Sequence, residues 1–225
     1  MLPLSGCEDA APIWNYFFGD LPRTVWNQRY VVTLDTPEGR RSYEGSIEVE
    51  FVDRSNRPAL GSGSHTSVSK RGEAVPIPMG EGRWMFVLLP DVTWADLVAI
   101  AQDHAWERGE RPGAAEAVQL LPRYLNDPQP VLKQFRPKFI TFPDLADPMS
   151  IELVDADDLA ATFGEGYALV GVTVEYTNRQ PESGRLFEVL PWMREVRMGT
   201  FDGTGGVGMR THRLSGYAMF REDPR

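Results

Sequence analysis

The clearest signal in the chain is a period of two in its first third. From Arg29 to Thr36, Tyr30, Val32 and Leu34 fall on one face, with Val31, Thr33 and Asp35 on the other. From Ser42 to Asp53, Tyr43, Ile47, Val49 and Phe51 share a face, while Glu44, Ser46, Glu48 and Glu50 share the opposite one. Pro37-Glu38-Gly39 supplies the turn between them, with Pro fixing φ and Gly able to take φ > 0. This pattern predicts an antiparallel hairpin with one buried and one solvated face. A second hairpin is expected from Thr66–Met79 and Arg83–Leu89, with Pro76 and Pro78 marking a sheet edge. In its second strand Trp84, Phe86 and Leu88 oppose Met85, Val87 and Leu89, which predicts a strand covered on both faces.

The period then changes. Trp94, Leu97, Val98, Ala101 and Ala105 recur at helical spacing behind Thr93, a good N-cap, and Gly109 follows as a stop. A second helix is expected from about Ala114 to Leu121, stopped by Pro122, so that the helical segment spans about 94–121. Residues 126–137, with Pro128, Pro130 and Pro137, read as an extended connection. The stretch from Lys138 to Thr177 combines a strand at Lys138–Phe142, a short helix at about 156–163, and a strand at Tyr167–Thr177. A short strand at Leu186–Leu190, a glycine-rich loop at Gly199–Gly208 and a final strand at Met209–Phe220 complete the reading. The fold class expected is α+β, mainly antiparallel hairpins arranged as an open sheet or sandwich. Residues 1–12 read as a flexible tether and 13–225 as one α+β domain.

Composition narrows the function classes. With 42% hydrophobic and 24% charged residues in 225, the chain has the means to bury a sizeable core. A net charge of −9 argues against a nucleic-acid backbone as partner and against electrostatic adsorption to anionic lipid. Cys7 is the single cysteine, so the chain forms no internal disulfide. Leu4-Ser5-Gly6-Cys7 resembles a bacterial lipobox, in which the cysteine becomes lipid-modified, although only six residues precede Cys7 where a basic and apolar signal is needed. Either translation starts upstream of Met1 and Cys7 carries a lipid anchor, or Cys7 is a free thiol near a mobile end.

Asp155-Ala156-Asp157-Asp158 is the sharpest candidate for chemistry, because clustered carboxylates suit Mg²⁺ or Ca²⁺. A helix start explains the same residues: Asp155 as N-cap, Asp157 and Asp158 as partners of the dipole, Val154 and Leu159 as a hydrophobic staple, Gly164 as the stop. That account is preferred, and no metal or cofactor is expected. Glu44, Glu48 and Glu50 read as a solvated face rather than a cation site. Gly203–Gly208 spells G-x-G-x-x-G, but a strand-like segment follows it and the chain ends 17 residues later, so a hairpin loop is expected. His65, near Ser62, Ser64 and Ser67, is conceivable as half of a serine–histidine pair, with a solvated loop histidine as the simpler reading. His104 is expected on the polar flank of its helix.

Several phrases together carry a resemblance. They are Arg29–Thr36, Arg71-Gly72-Glu73-Ala74-Val75, Phe139–Thr141 followed by Asp147-Pro148, Val154–Gly164 and Leu190-Pro191-Trp192. The set resembles a family of uncharacterised bacterial lipoprotein-like envelope proteins, from Arg29 to Trp192, with Val154–Gly164 its most specific part. The resemblance implies an envelope location and no assigned activity, and it carries over no catalytic residue. Three functions are therefore expected in order: a non-enzymatic binding protein of the envelope, anchored at Cys7; a hydrolase-like enzyme assembled from distant residues around His65 or Asp155–Asp158; and an acidic inhibitor or immunity-type protein that covers a basic partner with a contiguous acidic patch. The partner, protein or small ligand, is not specified by the sequence.

Overall fold

A computed structural model of the protein describes residues 22–53, 66–181, 183–194 and 220–221. The period of two runs further than Arg29–Thr36: β1 spans Arg23–Thr36 and β2 spans Gly39–Asp53, paired from Arg23↔Val52 to Thr36↔Gly39. Tyr30, Val32, Leu34, Ile47, Val49 and Phe51 are all buried, as the alternation requires. At the turn the Thr36 hydroxyl donates to the Gly39 carbonyl at 2.8 Å.

The expected strand Thr66–Met79 is two strands in two sheets. β3 (Thr66–Glu73) pairs with β2, while β4 (Val75–Pro78) pairs with β5 (Trp84–Val87). The switch occurs at Ala74, fully buried between them. Two glycines make room for it. A Cβ on Gly45 would lie 2.4 Å from Val75 Cγ2, and Gly72, at φ +149°, would bring one within 2.9 Å of Ile47 Cγ2. Pro76 and Pro78 do sit on an edge, since β4 is the terminal strand of its sheet.

Two helices follow. Thr93 and Asp96 form a reciprocal capping box at the start of α1 (Trp94–Glu107), and the Trp94 ring stacks on Phe51 at 4.9 Å. α2 (Ala114–Tyr124) does not stop at Pro122. That residue falls in the last turn, and the helix continues because Tyr124 and Leu125 are buried beyond it. The connection to the sheets holds β6 (Gln129–Pro130) and a 3₁₀ turn at Lys133–Phe135. Then come β7 (Phe139–Thr141), a 3₁₀ turn at Pro148–Ser150, β8 (Glu152–Val154), α3 (Leu159–Phe163) and β9 (Ala168–Thr177).

The C-terminal part differs from its sequence reading. Leu186–Leu190 is not a strand: Arg185–Val189 forms a helix, α4, followed by a 3₁₀ turn at Pro191–Arg194. The cause lies far away in sequence. The buried Glu73 carboxylate accepts from the backbone N–H groups of Gly184 (2.8 Å), Arg185 (3.2 Å) and Leu186 (3.3 Å), satisfying amides at the start of the helix. The expected strand Met209–Phe220 lies outside the described residues except at its end, where β10 (Phe220–Arg221) pairs with β3.

The fold is thus α+β with two antiparallel sheets, in the orders β10-β3-β2-β1-β9-β6 and β4-β5-β7-β8. A main core joins the large sheet, one face of the small sheet, α1 and α2. The other face of the small sheet, with Phe86, Leu88, Ile140 and Phe142, is covered by Leu186, Leu190 and Met193. The two-faced burial of β5 is therefore real: one face joins the main core with α1 and α2, and α4 with the turn after it covers the other.

Candidate functional site

Carboxylates were the first suspects, and each has a local task. α3 begins later than expected, so Asp158, not Asp155, is its N-cap, accepting from Ala161 N at 3.1 Å. Asp155 closes the preceding turn by accepting from Asp157 N at 2.9 Å. Asp157 then occupies the position before the cap, outside the helix. It ion-pairs with Lys133, and with Arg136 at 3.1 Å. Those cations, with the Lys133 hydrogen bond foremost, hold its carboxyl below the usual range. The staple of Val154 with Leu159 loses its spacing in this register, although both side chains are buried in the main core. Among the described residues no three His, Cys, Asp or Glu side chains converge in a metal-binding group.

The acids of β2 are interleaved with arginine. Glu44 pairs with Arg29 and Arg179, Glu48 with Arg71 at 2.7 Å, and Glu50 with Arg23 at 2.9 Å; Arg29 also holds Glu175 of β9. This cross-strand ladder is a solvated face with its charges matched. Matched in this way, the acids of β2 form no contiguous acidic patch. On the inner face of β1, Trp26 Nε1 donates to Gln28 Oε1 (3.1 Å) and Gln28 Nε2 to the Tyr30 hydroxyl (2.6 Å). Burial pushes that hydroxyl's pKa up, so the row is a neutral, internally satisfied polar chain within the core.

His104 has polar neighbours, with Glu107 at 3.9 Å. It is half-buried between α1 and α2, 6.3 Å from the Tyr124 ring, and desolvation lowers its pKa against the opposing pull of Glu107. The Tyr124 hydroxyl donates to Glu110 at 2.7 Å. Cys7, His65 and Gly203–Gly208 all lie outside the described residues.

What the fold does assemble is an open groove of about 440 Å³ along the end of the small sheet, at β7, β8 and the turn after β8. Its lining includes Lys133, Arg136 and Lys138 before β7 and Leu153, Asp155 and Asp157 in β8 and the turn after it. Its lining holds three cations to two acids, a local excess of cations on a chain whose net charge is −9. Lys138 has only a loose partner, Asp91 at 3.9 Å. Arg136 is held by Asp157 at 3.1 Å, and its Nε is buried out of contact with the groove.

The groove also contains a sheet edge. β8 is the terminal strand of its sheet, paired only with β7 among the described strands. Lys138 O accepts from Leu88 N, so the even-numbered residues of β7 direct their backbone groups toward β5 and the odd ones toward β8. Phe139 and Thr141 therefore bond to Val154 and Glu152, and the N–H and C=O of Leu153 point away from the sheet. Leu153 is 63% exposed, the most exposed of the large apolar residues among the described ones. Sequence reasoning passed over this site. Its available signal was three cations within Lys133–Lys138 of an acidic chain, although their convergence on Asp157 depends on the fold.

No family model matches the chain, and no curated protein or solved structure does either.

Proposed function

We propose that the protein is a non-enzymatic binding protein that engages its partner at the groove beside β8, and that a lipid on Cys7 holds it at the bacterial envelope. The observation that carries the binding half is the coincidence, in one concavity, of a sheet edge, an exposed leucine and a local excess of cations. Globular proteins blunt or cover such edges unless they are used, and isolated apolar exposure gains meaning when polar groups converge around it. The envelope half is supported by Leu4-Ser5-Gly6-Cys7 and by the resemblance set out above.

The test compares native protein with Leu153→Asp as bait in envelope extracts, after both are shown to melt alike. Partners retained by the native chain should be lost from the variant. An unchanged partner set would place recognition elsewhere on the surface. For the anchor, intact mass of the native product should show diacylglycerol on Cys7, and an unmodified thiol would refute it.

A further inference from the structure

The groove presents three kinds of unmet demand together. The outward N–H and C=O of Leu153 offer one backbone donor and one acceptor in strand geometry. The Leu153 side chain offers apolar surface. Lys138, held only loosely by Asp91, offers positive charge beside the Lys133 and Arg136 that close on Asp157. Lys133 and Arg136 already close on one carboxylate, that of Asp157, which shows the kind of group their spacing accepts. A small anion would satisfy only the cations, and an apolar ligand only the leucine. A polypeptide in extended conformation satisfies all three, because successive side chains alternate across its backbone.

We propose that the groove takes an extended, acidic polypeptide segment that adds to β8 as a further strand. This rests on reading the groove as the binding site. With one outward backbone pair on so short a strand, main-chain bonding supplies register rather than affinity. Specificity comes from a partner Asp or Glu reaching Lys138 and Arg136, with Asp157 as an internal competitor for the same cations.

The probe is a fluorescein-labelled peptide in which Val and Glu alternate, titrated by anisotropy at low salt against the full chain. Two companion peptides carry Lys in place of Glu, or Pro in place of Val. The Val–Glu peptide should bind, slow the exchange of the Leu153 amide, and release as salt rises. Lys138→Glu should weaken it by about tenfold, the scale of reversing one partly exposed charge beside the ligand. The Lys and Pro companions should fail, the first through repulsion and the second because proline lacks the donor. Equal binding by the Pro companion would overturn strand addition, and equal binding by the Lys companion would overturn the acidic specificity. If no peptide binds while Leu153→Asp still loses the native partner, the ligand class is wrong and the groove assignment survives. If the Val–Glu peptide binds but neither Lys138→Glu nor Leu153→Asp affects it, the groove assignment fails as well.

Discussion

Glu73 shows how much one side chain can organise. Its side chain is only 2% exposed, and its carboxylate receives three backbone N–H groups at the start of α4, with Arg185 Nε 3.7 Å away. A buried carboxylate is costly unless its lone pairs are filled, and here they are filled by amides that would otherwise be orphaned at a helix start. Removing it strands both sides. Glu73→Ala should cost about 3 kcal/mol, read from the urea midpoint, because bonds to a charged acceptor are lost and its amides are left unpaired. Glu73→Gln should cost less, since one carbonyl acceptor remains. Equal losses for the two variants would mean that packing alone accounts for the effect.

At the level of elements, α3 invites a paired comparison. Asp158→Ala removes the N-cap bond to Ala161 and should cost about 1 kcal/mol, whereas Asp155→Ala removes only a turn contact and should cost less. Chemical denaturation of the two variants checks the order; a reversal would favour a helix beginning at 156. The same helix marks where local rules stop being sufficient. β1, β2 and α1 were readable because each is decided within its own residues: strict alternation in the strands, Thr93 with Asp96 and an apolar stripe in the helix. Around Asp155–Asp158 several acids compete for one cap, and Lys133 and Arg136, distant in sequence, withdraw Asp157 from that competition. Leu186–Leu190 is a short apolar run, which periodicity does not assign to strand or helix, and Glu73 decides it from across the fold. The groove was illegible for the same reason. Its cations precede β7 while its edge and acids follow β7, and only the pairing of β7 with β8 brings them together.

For the molecule as a whole, the seam between the two sheets is the critical joint. Gly45 of β2 faces Val75 at a distance no Cβ tolerates, and Arg185 Nη2 donates to the Glu44 carbonyl beside it at 3.1 Å. Gly45→Ala should therefore destabilise by about 2 kcal/mol through overpacking, and Val75→Ala in that background should recover part of the loss. Thermal melts of the single and double variants test the coupling; strict additivity would place the strain elsewhere. The cover over Phe86, Ile140 and Phe142 has a further consequence, in the order of synthesis. Every strand of the small sheet leaves the ribosome before Leu186, Leu190 and Met193 do, so the sheet is assembled from residues whose outer face is still bare. While the chain grows, that face is an apolar surface open to chaperones or to neighbouring chains. Arrival of α4 on Glu73, with the turn after it, closes that face, so a segment made after the sheet ends its exposure.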